Sequence, residues 1–251
     1  MMGISILMYH QVGAFPPMRE HRATYCDHRR FAAQMRLLKW LDYRVLSMDE
    51  VLACLRGEMS APPRSVALTF DDGYENFYEY AFPVLQRYGF PAMVYLVEEK
   101  VGGRADWLAA DGHHPAPLMD WPRIRELRAA GIDFGSHGLS HLRLAKQPQD
   151  ILRQEMSDSR KRLEDGLGED IRHFCYPYGS HDLASLRAAA EAGYQSAVTC
   201  QRGRATAQLD PLALPRKAVS FGDDLFGFFW KLAFKHAPKG SALYRPELDK
   251  T

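Results

Sequence analysis

Short apolar runs alternate with stretches of helical periodicity along most of the chain. Ile4–Tyr9 is a short, mostly apolar run and predicts a buried strand. Turn formers and charges from Gly13 to Arg30, with Pro16-Pro17 among them, predict a loop. Phe31–Leu41 places apolar residues at 31, 35, 37, 38 and 41, the spacing of an amphipathic helix. Tyr43–Leu46 predicts a strand. Ser47, with Glu50 three residues on, predicts a helix start closed by a reciprocal cap. Pro62-Pro63 then breaks the chain before a further buried strand at Ser65–Phe70.

The alternation repeats downstream. Helices are predicted over Asn76–Tyr88, Pro122–Ala130, Gln149–Leu167 and Leu183–Ala192, and strands over Ala92–Val97, Ile132–Gly135, His173–Tyr176 and Gln195–Thr199. Strands alternating with helices predict an α/β fold of parallel strands with helical crossovers. Seven or eight such strands at this length favour a barrel over an open sheet. No internal repeat or linker divides the chain, so 1–251 reads as a single domain.

Composition narrows the class. The 251 residues hold 32 Lys and Arg against 31 Asp and Glu, a net charge of +1, with 46% hydrophobic and 25% charged residues. Those values fit a globular protein and exclude disordered and collagen-like chains. Near-neutrality leaves no electrostatic footprint for nucleic acid, so no such partner is expected. Cys26, Cys54, Cys175 and Cys200 are scattered without a C-x-x-C pair, so each is expected to be a buried small hydrophobe. The N-terminus has no signal-peptide pattern and no apolar run reaches the length of a spanning helix, which predicts a cytoplasmic protein.

In a parallel barrel, functional groups gather where strands end at the C-terminal face. Ser65–Phe70 ends in Asp71-Asp72-Gly73, and Ile132–Gly135 ends in Ser136-His137-Gly138-Leu139-Ser140-His141. The first strand ends in Tyr9-His10, and His173–Tyr176 in Pro177-Tyr178-Gly179. Taken alone, Asp-Asp-Gly is more often a turn, His-x3-His a weak signal, and a strand-end His merely hydrogen-bonded. His113-His114, in a Pro-rich loop, reads as structural. The weight lies in their convergence on one face.

That set has a chemistry. A catalytic zinc takes three protein ligands and keeps one position for water. Two histidines four apart and one carboxylate complete such a set, and only one of two adjacent aspartates points easily at the ion. The other is then placed as a general base, and a histidine on the opposite side as a general acid. The same ligand types serve non-haem iron oxygenases, but the paired Asp and extra His suit hydrolysis better.

These residues resemble the polysaccharide deacetylase family, carbohydrate esterase family 4, over roughly Ile4 to Val219. Thr69-Phe70-Asp71-Asp72-Gly73 is similar to its T-F-D-D-G motif, and His137-Gly138-Leu139-Ser140-His141 to its H-[ST]-x-x-H motif, with Gly138 where Ser or Thr is usual. The resemblance implies a distorted (β/α)7 barrel, Asp71 as the base, and Asp72, His137 and His141 as ligands of a divalent metal. Zinc is the first choice, with cobalt or iron as alternatives. It also implies that the Tyr178 N–H forms half of an oxyanion hole.

Two departures stand out. The family's R-x-x-P-Y motif reads Phe174-Cys175-Tyr176-Pro177-Tyr178 here, without its Arg, and Arg216 in Leu214-Pro215-Arg216 is the candidate to supply that charge beside Asp71. The C-terminal L-x-H has no match after Val219, whereas Leu7-Met8-Tyr9-His10 looks similar. This resembles the circularly permuted branch that includes poly-N-acetylglucosamine deacetylases, and it makes His10 the candidate acid.

The implied activity is removal of an N-acetyl group from an amino sugar in a polysaccharide or lipid-linked glycan intermediate. The alternatives are hydrolysis of another C–N bond, such as a formamide or cyclic amide, and a catalytically silent glycan-binding protein on the same barrel. Near the C-terminus, Phe226, Phe229, Trp230, Ala233 and Phe234 fall on one helical face, widened by Leu225, Phe228 and Leu232, with Lys231 and Lys235 opposite. Two readings follow: that face packs on the barrel, or the 225–236 segment makes a peripheral membrane contact.

Overall fold

The structure is a computed structural model that describes residues 3–240 and 243–245. The extreme ends of the 1–251 span expected to form one domain lie outside the described residues. The main sheet contains β1 (Ser5–Tyr9), β2 (Arg44–Leu46), β3 (Ser65–Phe70), β4 (Met93–Leu96), β5 (Asp133–Ser136), β6 (His173–Cys175), β7 (Ser196–Val198) and β8 (Lys217–Ala218). All its pairings are parallel.

β1 runs beside β3 from Ser5↔Val66 to Tyr9↔Phe70. The other edge of β3 is shared. β2 takes its first half, Arg44↔Ser65 to Leu46↔Ala67, and β4 takes Thr69 and Phe70. β4 to β7 then follow in chain order. The ring closes through 214–218: Leu214 bridges Val198 at the end of β7, while β8 pairs Lys217 with Leu7 of β1. Seven positions thus circle the axis with β2 wedged beside them, which is a distorted (β/α)7 barrel.

Strand alternation builds two apolar layers. Ile6, Ala67, Met93, Tyr95, Cys175 and Val198 belong to an inner cluster, while Leu7, Leu68, Phe70, Val94, Phe134 and Phe174 join the core beneath the helices. Strands buried on both faces are expected to be apolar throughout, and β3 is buried at all but its first residue.

The helices are α1 (His28–Trp40), α2 (Met48–Leu55), α3 (Phe82–Tyr88), α4 (Trp121–Ala129), α5, α6 (Leu183–Glu191) and α7 (Leu225–Ala233). α5 is α-helical over Gln149–Arg153 and Ser159–Leu167, with a π-helical turn at Gln154–Asp158 between them. α2 carries the expected reciprocal cap between Ser47 and Glu50. The segment read as a helix from Asn76 starts with another π-helical turn, Phe77–Ala81, before α3.

Three expectations need correction. The Gly13–Arg30 loop is partly structured: Gln11–Gly13 pairs in parallel with Tyr25–Asp27, and α1 begins at His28 because the Asp27 side chain accepts from the Arg29 and Arg30 N–H groups. Gln11-Val12-Gly13 and Tyr25-Cys26-Asp27 mix apolar with polar and turn-forming residues, so they leave no apolar run to read. The four cysteines are free, but only Cys26 and Cys175 are buried; Cys54 is half-buried and Cys200 exposed. Finally, α7 packs inward through Phe228 and Leu232, leaving Phe226, Phe229, Trp230 and Phe234 exposed. A helix apolar on nearly every side does not fix its buried stripe by periodicity alone. Lys231, expected on the outer polar side, instead folds back to Asp223 and the Ala218 carbonyl.

Candidate active site

The site forms where β1, β3, β5 and β6 end. The Asp71 N–H continues the ladder by donating to Tyr9 O at 2.9 Å. The chain then turns sharply, with positive φ at Asp72 (75°) and Gly73 (76°), so the two carboxylates diverge. That positive φ favours glycine at position 73, where a Cβ would also meet Leu96 Cδ2 at 2.7 Å. Asp72, His141 and Tyr178 are three of the seven described non-glycine residues with positive φ. Such backbone costs roughly 1–3 kcal/mol each and persists where surrounding structure holds it.

Asp72 meets both histidines. His137 Nε2 lies 3.2 Å and His141 Nε2 3.3 Å from the same oxygen, Asp72 Oδ1. His137 Nδ1 is 2.7 Å from the Cys175 carbonyl, which can only accept, so Nδ1 carries the proton and Nε2 turns its lone pair toward Asp72. Asp72 Oδ1 is buried and has no hydrogen-bond partner among the described residues. Two imidazole nitrogens and an orphaned carboxylate oxygen that converge in a buried space fit a divalent cation.

A second group, Asp71, His137 and Cys175, also brings its ligand atoms within 4.8 Å of one another. Arg216 already occupies it. Its Nη1 and Nη2 donate to Asp71 Oδ1 and Oδ2 at 2.6 and 2.7 Å. Nε reaches Thr199 O, Nη1 also reaches Thr69 Oγ1, and Nη2 also reaches Cys175 Sγ. These contacts use all five guanidinium donors of a side chain that is fully buried. Burial alone would raise the Asp71 carboxyl, but the Arg216 charge and its hydrogen bonds hold it below its ordinary value. Burial pushes the Cys175 thiol well up, which keeps it protonated and a poor ligand.

His10 lies across from this pair, with Nε2 3.7 Å from Asp71 Oδ2 and an Nδ1 that has no partner among the described residues. Tyr178 adopts φ 58° and ψ 9° in a tight turn closed by Gly179 N–H on Tyr176 O and Ser180 N–H on Pro177 O. Neither bond uses the Tyr178 N–H. The Tyr178 and Trp107 rings cover His141, with centroids 4.5 and 4.1 Å from the imidazole. His10, Asp71, Asp72, His137, His141 and Tyr178 all line one cavity of about 330 Å³. Arg216 sits behind Asp71, off the cavity wall. A larger groove of about 860 Å³, beside Tyr43 and Arg44, lies at the opposite end of the strands and contains no metal-ligating cluster among the described residues.

Sequence reasoning missed Glu155. Its buried carboxylate accepts from the Leu139 and Ser140 N–H groups at 2.8 and 3.1 Å and from the Ser140 hydroxyl. It therefore pins the segment between His137 and His141. A Cβ at Gly138 (φ 81°) would meet Glu155 Oε2 at 2.9 Å, so the glycine at that position makes room for the carboxylate. The available signal was a charge among Leu152, Met156 and Leu163, on the apolar stripe of α5. Trp107 was missed as well, since nothing in its loop marks it. His113, read as structural, has Nδ1 2.8 Å from Tyr25 OH and does not line the cavity.

The sequence pattern of the polysaccharide deacetylase family matches residues 58–197, more than half of the chain, including Asp71, Asp72, His137 and His141. The chain belongs to the polysaccharide deacetylase family. Among relatives, Bacillus subtilis YxkH is 29% identical over 219 residues, covering 87% of this chain and 72% of that one. The poly-β-1,6-N-acetyl-D-glucosamine N-deacetylase of Staphylococcus epidermidis is 27% identical over 199 residues, covering 76% of this chain and 66% of its own. The Streptococcus pyogenes deacetylase PplD, solved in complex with acetate, superposes with a TM-score of 0.79 at 27% identity, covering 92% of this chain and 98% of that one. The barrel described above is therefore a polysaccharide deacetylase barrel.

Proposed function

We propose that this polysaccharide deacetylase family member removes N-acetyl groups from an amino sugar in a polysaccharide or a lipid-linked glycan intermediate. The observation that carries the reading is the division of labour between adjacent aspartates: Asp72 Oδ1 faces two imidazoles, while Asp71 is clamped by Arg216. The Staphylococcus epidermidis relative, named for an N-acetylglucosamine polymer, supports the substrate class.

A divalent cation held by Asp72, His137 and His141, zinc by preference, supplies Lewis acidity and a water of lowered pKa when bound. The chain's own groups do the remainder. Asp71, kept ionised by Arg216, accepts a proton from the attacking water. The Tyr178 N–H donates to the oxyanion that develops as the amide carbonyl becomes tetrahedral. His10, on the other side of Asp71, gives a proton to the departing amine, and acetate is released.

Product analysis after incubation with N-acetylglucosamine oligomers, a nucleotide-linked N-acetyl sugar and a formamido sugar tests this reading. Acetate release that stops on chelation and returns with zinc is the expected result. Formate from the formamido sugar alone would favour the other C–N hydrolysis. Binding of oligomers without any release would favour a silent glycan-binding barrel.

A further inference from the structure

Five of the nine large apolar side chains that stand exposed among the described residues belong to one short segment: Leu225, Phe226, Phe229, Trp230 and Phe234. Phe226 is 72% exposed, Phe234 58% and Trp230 44%, so this is a continuous ridge rather than a scatter of single residues. The rings stack along the helix, with centroids 6.4 Å apart for Phe226 and Trp230 and 4.5 Å for Trp230 and Phe234. The opposite face of α7, through Phe228 and Leu232, already anchors it to the core. Fold stability therefore does not explain the outer ridge.

The neighbour of this ridge is cationic. A surface groove between α1 and α7 is lined by Arg29, Arg30 and Ala33 on one side and by Asp224, Leu225 and Phe226 on the other, two cations against one acid. Arg29, Ala33, Arg36 and Trp40 recur at helical spacing, so the stripe that starts in this groove continues through another arginine to a tryptophan that is 78% exposed. α1 has no acidic residue, and Lys235 and Lys239 follow α7. The two acids at the start of α7 are engaged: Asp223 with Lys231 and Ser220, and Asp224 with the Gly227 N–H as the cap of α7.

We propose that the α1–α7 face docks on an anionic phospholipid surface, with Phe226, Trp230 and Phe234 entering the interface and Arg29 and Arg36 meeting headgroup phosphates. Aromatic residues flanked by cations are the composition that interfacial binding selects. A two-fold contact of the face with itself would instead press like-charged arginine stripes together. The chain also ties this face to the catalytic cavity. Phe221, just before α7, donates from its N–H to Arg22 O at 2.8 Å, and Arg22 lies between His21 and Thr24, which line the cavity. Docking thus brings the cavity mouth toward the membrane, where an amphiphilic, lipid-linked glycan is held. This substrate consequence rests on the deacetylase reading; the docking itself does not.

Flotation of the full chain with vesicles of phosphatidylglycerol and phosphatidylcholine, and of phosphatidylcholine alone, tests the docking without reading activity. Co-flotation with the anionic vesicles, weakened by salt, is expected. It should fall at least about tenfold in Phe226→Ser/Trp230→Ser/Phe234→Ser and in Arg29→Glu/Arg36→Glu. These positions are exposed, so both variants should unfold at the wild-type temperature. Wild-type protein that stays at the bottom of the gradient with anionic vesicles would overturn the proposal. So would a wild-type dimer in solution that the aromatic variant splits into monomers, which would make the face a subunit interface.

Discussion

At the residue scale the site depends on how one buried guanidinium is used. Arg216 spends every donor on Asp71 and its surroundings, which places the charge implied by the family's missing arginine just before β8. Arg216→Met leaves the Asp71 carboxylate buried and unpaired, and a broken buried pair costs about 3–5 kcal/mol. Denaturant unfolding should show that loss. Steady-state kinetics should show a fall in kcat with little change in KM, because Arg216 does not reach the cavity. Unchanged turnover would remove Arg216 from the account. His10→Ala should lower turnover by about 10²–10⁴-fold, the usual range for a general acid, and a loss below about tenfold would reject that role. His10, Asp71, Asp72 and His137 follow directly on strand ends, and His141 and Tyr178 lie in the turns beyond them, which is why these positions were legible in the sequence. Glu155 was not, because it acts from a helix sixteen positions beyond Leu139 and through backbone donors that any sequence supplies. Glu155→Ala should loosen the His137–His141 segment and weaken zinc affinity by about 10–100-fold in a competition titration, as lost support around metal ligands does.

At the scale of elements, segments with a clear apolar run or helical period were legible, down to the three-residue strands β2, β6 and β7, and segments without one were not. β3 was placed residue for residue, and the capping box of α2 was readable from Ser47 and Glu50. β8 is two residues long, so the closure of the ring left no periodic trace. The same short strand holds a buried lysine. Lys217 Nζ donates to Lys231 O at 2.7 Å and reaches His236 Nδ1 at 3.1 Å, fastening α7 to the barrel. Burial, with the nearby Arg204 and Arg202 charges, lowers its pKa from 10.5 to about 7. Below about pH 7 the amine is charged whether the chain is folded or not. Between about pH 7 and its ordinary value the unfolded chain binds more protons, so this group makes stability rise with pH across that window. Urea midpoints at the two ends of the window should therefore differ more for wild type than for Lys217→Met. Equal slopes would contradict the assignment.

At the scale of the whole molecule, the barrel separates two surfaces. Strand C-termini gather the carboxylates and imidazoles in one cavity, while α1 and α7 carry an aromatic and cationic flank tied to its rim through Arg22 and Phe221. Parallel strands with helical crossovers were legible because the crossovers from β1 to β7 contain helices with periodic signals, whereas the step from β7 to β8 has only a short 3-10 turn at Pro211–Ala213. The direction in which α7 faces was not legible, since a helix apolar nearly all round leaves the choice to its neighbours. The central claim is that Asp71 acts as the base beside a metal held by Asp72, His137 and His141. The most direct test is acetate release from N-acetylglucosamine oligomers by zinc-loaded wild type and by zinc-loaded Asp71→Asn, with bound zinc measured in both. The account predicts one zinc per chain in each protein, with release confined to the wild type. Release by Asp71→Asn at the wild-type rate would contradict it.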